Sequence, residues 1–361
     1  MFQTTFKKRH MDILFLILVL LLVFMGLMVL FSASEYNGRV RFHDSAYYFK
    51  KQLFATALGL GAMYAVSSVD YHIFIRLAPV AYLLSLILST AVLLVGQEIN
   101  GSKRWLSLGP LSFQPSEFAK VAVILFLVWQ IEKSRKKPKS FWFLCRTMLS
   151  LLPVAGLVGS NNLSTAIIIL GIGVILVFSS SPGYMQFIGP ACAGVGFIGI
   201  FLAAESYRLE RLAIWRNPEK YEKGFQTIQG LYAIGSGGLF GRGFGNGIQK
   251  LGFVPEAQND MIFSIICEEF GLTGAAFLII VFGLLLWRLC VISLHSRDLS
   301  GALVSAGIMG HLAIQVILNI AVVTNTIPNT GITLPFFSYG GTSVMFLLGE
   351  IGLALNISRQ I

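Results

Sequence analysis

Apolar residues gather in long blocks with few charges inside them, near 12–32, 49–68, 73–95, 115–131, 143–159, 163–180, 185–204, 259–292, 300–323 and 337–357. A block of roughly twenty residues, wound as an α-helix, spans the ~30 Å hydrocarbon layer of a bilayer. Backbone N–H and C=O groups cannot lie unpaired in hydrocarbon, so an open sheet is excluded and each block must close its own hydrogen bonds. The pattern predicts an all-α polytopic membrane protein of about ten transmembrane helices, a single unit over residues 1–361. "MDILFLILVLLLVFMGLMVLF" behind "KKRH" has the order of a signal peptide. It is longer than a signal core and further spans follow, so it reads as the first transmembrane helix.

The net charge of +10 raises the question of nucleic acid. The densest basic run, "EKSRKKPKS" (132–140), lies between two apolar blocks without interleaved aromatics, which marks membrane topology instead. With the N-terminus in the cytoplasm, Lys7 to Arg9, the 132–140 run, Arg288, Arg297 and Arg359 all fall inside, so both termini are assigned there. The outer face then receives 33–48, 96–116, 205–258 and 324–337. The 205–258 loop, which precedes the eighth helix, far exceeds what a helix connection needs. It carries Arg208, Arg211, Arg216, Lys220, Lys223, Arg242 and Lys250. Basic residues on the translocated side gain nothing from the topology rule and suit an anionic partner, or anionic lipid of the outer leaflet. Its glycine-rich stretch 235–247 fits close packing or a re-entrant turn as well as an anion cradle, and has no Walker lysine. The four cysteines form no CxxC pair and the five histidines no ligand spacing, so no metal site is assigned.

Polar groups stand out at three places. In "QPSEFAK", Pro115 suits a first helical turn, and Glu117 and Lys120 lie three residues apart on one face, as a structural pair or a substrate anchor. In "NGSKRWL", Lys103 and Arg104 precede Trp105, a residue type common at membrane interfaces. In "LGFVPEAQNDMIF", a helix starting near Pro255 would put Glu256 and Asp260 one turn apart, where desolvation and the helix dipole pull a carboxylate in opposite directions. That suits a general base as well as ordinary N-terminal helix charge.

The strings "NGSKRWLSLGPLSFQPSEFAK", "IGSGGLFGRGFGNGIQKLGFVPEAQNDMIF" with "CEEFGLTG", and "TGITLPFFSYGGTS" resemble the signatures of the SEDS family, which contains FtsW, RodA and SpoVE. The likeness runs from "FSAS" to "NISR" and leans towards the FtsW and SpoVE branch. It implies a ten-helix glycosyltransferase of the bacterial cell membrane that polymerises lipid II into peptidoglycan during division or sporulation. Its active site would face the extracytoplasmic side, and its usual partner would be a class B penicillin-binding protein. By the same resemblance Asp260 falls on the family's essential aspartate. Glu256, Glu117, Lys120, Arg104 and Trp105 fall on its recurrent motif positions. Two departures stand out: Gln258 replaces a frequent histidine, and Asn162 in "SNNLSTA" replaces an acidic residue.

On this reading Asp260 accepts the proton of the attacking 4-hydroxyl, and Lys103, Arg104, Lys120, Arg242 and Lys250 are candidates for the departing pyrophosphate. No cofactor is required, and a divalent cation, Mg2+ or Mn2+, is left open. A lipid II flippase and a non-catalytic scaffold for the transpeptidase are the competing functions.

Overall fold

In a computed structural model of the chain, residues 11–99, 102–108, 111–134, 146–180 and 206–361, with 196 and 199, are described. The helices are α1 (Ile13–Phe42), α2 (Tyr47–Ser68), α3 (Tyr71–Val95), α4 (Pro115–Lys133), α5 (Leu152–Asn161), α6 (Leu163–Ser180), α7 (Ser206–Arg216), α8 (Phe225–Gly237), α9 (Ile262–His295), α10 (Leu299–Val323) and α11 (Gly341–Ser358). Six of them, α1, α3, α6, α9, α10 and α11, are long and apolar enough to cross a membrane. The block at 185–204 lies outside the described residues. Polar side chains mark several helix starts: Asp12 accepts from Phe15 N at 2.9 Å, Asn162 from Thr165 N at 3.2 Å and Asp298 from Gly301 N at 2.9 Å. Each satisfies one of the orphan N–H groups of a first turn. Asn162, where the resemblance expects an acid, is therefore a cap.

Helix α2 packs along α11, α3 along α4, and α10 against α4, α6 and α9. A β-carbon on Gly352 of α11 would stand 2.6 Å from the Met63 carbonyl oxygen of α2. Small residues of this kind are what let helices approach closely where lipid supplies no hydrophobic drive. Outward, α3 exposes Leu77, Val80, Leu83 and Ile87, each more than half exposed, a face that only hydrocarbon covers without cost.

Two sequence expectations change. The stretch 97–113 folds into a three-stranded antiparallel sheet, β1 (Gln97–Ile99), β2 (Ser102–Leu108) and β3 (Leu111–Phe113), so the fold is not purely helical. The apolar block 259–292 is not one continuous helix either: α9 breaks at Gly271, with φ 66° and ψ −165°. There the glycine-rich stretch docks, Arg242 N and Gly243 N each donating at 2.9 Å to the Glu268 and Glu269 carbonyls. Leu272 N and Thr273 N return bonds to the carbonyls of Gly238 and Leu239. A β-carbon on Gly237, Gly241 or Gly271 would collide with the facing backbone. Close packing therefore accounts for the glycines.

The bundle has two distinct ends. At one, Asp12 meets Ser358 and Arg288, Tyr71 N donates to Asn356, and His72 lies between Asp70 and Asp298. At the other, β2, the turns of 249–261 and the irregular segment 324–340 converge.

Candidate active site

The helix that follows the acidic stretch begins at Ile262, seven residues later than Pro255 suggests, because Glu256 takes a left-handed backbone, φ 54°. Glu256 and Asp260 consequently do not share a helical turn. They sit in a run of turns clamped from behind. Tyr339 N donates to the Gln258 carbonyl at 2.8 Å, Ser338 Oγ to that of Asn259 at 2.6 Å, and Asn319 Nδ2 to that of Asp260 at 2.9 Å. Gln258 itself is buried and accepts from Asn37 of α1 at 2.7 Å. A side chain so engaged ties α1 to this loop and is not disposed to move protons.

The Asp260 side chain is half-buried. Gln226 Nε2 of α8 donates to its Oδ1 at 3.3 Å, and Asn329 Nδ2 in turn donates to Gln226 Oε1 at 3.2 Å. Removal from water pushes its carboxyl up to about 7, helped by the neighbouring charge of Glu256 and opposed by hydrogen bonds, including that of Gln226, and by Arg104. A carboxylate that changes charge near neutral pH is a competent proton acceptor.

Arg104 reaches the same place from β2. A β-carbon on Gly331 (φ +69°) would lie 3.8 Å from Asp260 Oδ2 and 4.0 Å from Arg104 Nη1. Arg104 Nε also donates to the Asn161 carbonyl at 3.1 Å, and Asn161 Nδ2 to that of Lys103 at 2.8 Å. Lys103 and Arg104 line a cleft of about 20 Å³ with Ser116, Asn161 and Asn162. Trp105, half-buried, pairs through its backbone with Gln97 of β1.

Other expected site residues lie elsewhere. Lys250, expected at a pyrophosphate, is 4% exposed, with Nζ 2.6 Å from Glu269 Oε1 and 2.5 Å from Ser32 Oγ. Arg242 Nε stands 3.9 Å from Glu268 Oε1, over the same acidic pair. Glu117 and Lys120 form the expected ion pair, at 3.1 Å, but are sealed inside the bundle. The structure thus joins Asp260, Glu256 and Arg104 and separates them from Lys250, Arg242, Glu117 and Lys120. Sequence reasoning missed Gln226, Asn329, Asn161 and Asn319, uncharged amides that leave no signal of their own. Glu268 and Glu269 did leave one, as adjacent carboxylates inside an apolar run that demand partners.

A family model described as cell cycle protein, FtsW/RodA/SpoVE, matches residues 12–361. The chain belongs to the FtsW/RodA/SpoVE family. It is 38% identical to stage V sporulation protein E of Bacillus subtilis (strain 168), over 98% of this chain and 99% of that protein. It is 33% identical to a probable peptidoglycan glycosyltransferase FtsW of Trichlorobacter lovleyi, over 98% and 94%. Among solved structures it resembles a chain from a peptidoglycan synthase complex that coordinates polymerization and crosslinking. That likeness has a TM-score of 0.80 and 30% identity, covering 97% of this chain and 98% of that one. It also resembles the rod shape determining protein RodA of Thermus thermophilus, with a TM-score of 0.71 and 30% identity, covering 97% of each. Membership of this family, with the long apolar helices, makes the chain a multi-pass membrane protein.

Proposed function

We propose that this FtsW/RodA/SpoVE-family glycosyltransferase polymerises lipid II into glycan strands, with Asp260 as its general base. The observation that carries this reading is a half-buried carboxylate that accepts from the Gln226 amide and whose proton affinity is raised by burial and lowered by Arg104. It stands beside Arg104 where three loops converge. In the reaction the 4-hydroxyl of one sugar attacks the anomeric carbon of another. The new C–O bond forms as the C–O bond to the pyrophosphate breaks, the proton passes to Asp260, and the leaving diphosphate takes the electron pair. Such a base contributes typically ~10²–10⁴-fold. Arg104, with Lys103 beside it on β2, would meet the growing charge on the leaving group. Displacement in one step inverts the anomeric carbon.

The same reading puts ten spans in the membrane, both termini in the cytoplasm, and Asp260 and the 205–258 segment on the extracytoplasmic face. Lipid II is polymerised there, and a class B penicillin-binding protein would crosslink the product. Should a divalent cation take part, Asp260 and Glu256 would be the acidic residues available to hold it. Among the described residues no third carboxylate, His or Cys joins them into a metal-binding group. Pyrophosphate oxygens and water would then complete the shell.

The test uses purified protein with its transpeptidase and lipid II in detergent, where no flipping is needed. Glycan strands that form in the presence of moenomycin and vanish in Asp260→Ala are the expected result. No product from wild type would favour a flippase. Normal growth and partner localisation with Asp260→Asn would favour a scaffold.

A further inference from the structure

Three polar side chains, His311, Gln315 and Asn319, succeed one another a turn apart on one face of α10, all buried. At the outer end of the series Asn319 Nδ2 donates to two carbonyls at once, Asp260 at 2.9 Å and Ile332 at 2.7 Å. Both its amide protons are thereby used, which fixes the amide's orientation. Among the described residues its buried Oδ1 has no hydrogen-bond partner, an arrangement that packing alone does not favour. One turn below, Gln315 Nε2 donates to the carbonyl of Thr333 at 3.1 Å, while its Oε1 faces Lys120 Nζ at 3.1 Å and His311 Nε2 at 2.8 Å. His311 Nδ1 reaches Glu350 Oε2 at 2.7 Å.

The segment that this ladder grips has no regular structure of its own. Its shape is imposed by side chains: the carbonyls of Asn329, Thr330, Ile332 and Thr333 are taken by Arg211, Ser164, Asn319 and Gln315. Gly331, at the middle of that run, is the residue beside Asp260 Oδ2 and Arg104. Lys120 is 2% and Glu117 7% exposed, so neither can touch a pyrophosphate without the bundle opening.

We propose that Asn319 and Gln315 are positioning residues for Asp260, and that the Glu117–Lys120 pair acts on the reaction through Gln315 instead of on the substrate. The inference rests on the glycosyltransferase reading above. Lys120 orients the Gln315 amide by occupying its oxygen, the amide nitrogen then holds Thr333, and Asn319 locks the neighbouring carbonyl to the Asp260 backbone. A misplacement of about 1 Å at the reacting group costs about a hundredfold in rate. A substrate ligand would instead reveal itself in KM.

The experiment measures initial rates of glycan formation against lipid II concentration for full-length wild type, Asn319→Leu, Gln315→Leu, Lys120→Met and the Gln315→Leu/Lys120→Met double variant, each with the transpeptidase. Asn319→Leu is expected to lower kcat about a hundredfold with KM changed less than about twofold. The double variant is expected to be no worse than its poorer parent, because residues acting in series are not additive. If Asn319→Leu does not fold, Asn319→Ser keeps one donor and must still lose about tenfold in kcat. A folded variant of Asn319 with wild-type kcat overturns the proposal, as does a Lys120→Met enzyme with unchanged kcat and a raised KM. Absence of product from wild type would instead sink the glycosyltransferase reading on which it rests.

Discussion

Asp260 and Glu269 stand on either side of the start of α9, and the structure treats them in opposite ways. Glu269 is 1% exposed and mated to Lys250 at 2.6 Å, with Ser32 closing the group. Asp260 keeps part of its surface, accepts from the neutral amide of Gln226, and feels the charge of Arg104. A cation in contact occupies a buried carboxylate and keeps it from a substrate. An amide cradle in a half-dry site leaves the proton exchangeable near neutral pH. The first arrangement holds the glycine-rich stretch against α9; the second is a site.

The comparison breaks most visibly at Lys250. Lys250→Met takes the cation away from buried Glu269, and should cost about 3–5 kcal/mol, read as a fall in the unfolding midpoint of the detergent-solubilised protein. Adding Glu269→Gln should recover most of the loss, and a single variant as stable as wild type would dissolve the distinction. Asp260→Asn should move stability the other way. The raised pKa of Asp260 means that the folded state holds the proton more tightly than the unfolded chain, so stability wanes as pH climbs from about 4 to about 7. The asparagine has no such dependence. At pH 8 it should melt about 2–4 °C above wild type, and at pH 4 the two should converge.

Two neighbours sharpen the contrast. Gln226 donates to the ionised form and Glu256 repels it. Gln226→Leu should therefore shift the acid limb of the polymerisation profile upward and Glu256→Gln downward, each on the order of half a pH unit. Shifts of the same sign would contradict the assignment. The smallest effect is expected at Gly331, where φ is +69°. Gly331→Ala should cost about 1 kcal/mol of stability and slow catalysis severalfold, with Asp260 and Arg104 both within 4.0 Å of the added carbon.

The bundle was legible in the sequence because span length and apolarity are local properties. The Glu117–Lys120 pair was legible for the same reason, since three residues on a helix are neighbours. What closed around Asp260 was not. Its partners come from Gln226, Asn319 and Arg104 on separate elements, and an amide in an apolar chain announces nothing about its mate. Lys250 misled because a cation in a long outer loop reads as available, whereas its mate Glu269 lies on the far side of the Asp260 turns. The start of α9 misled because proline followed by acids imitates a helix N-terminus, and only the left-handed Glu256 backbone shows that the chain turns instead. The sheet at 97–113 hid behind "KRWLSL", whose tryptophan suggested a membrane interface.

The ionisation of Asp260 in the working enzyme is the central claim, and the pH dependence of the initial rate of glycan formation tests it most directly. With its carboxyl near 7, kcat/KM should rise about tenfold per pH unit below neutrality and level off above it, and the limb should be gone from the residual rate of Asp260→Asn. A profile flat from about pH 5 to about pH 9, or a limb at the ordinary carboxylate value near pH ~4, would contradict the account.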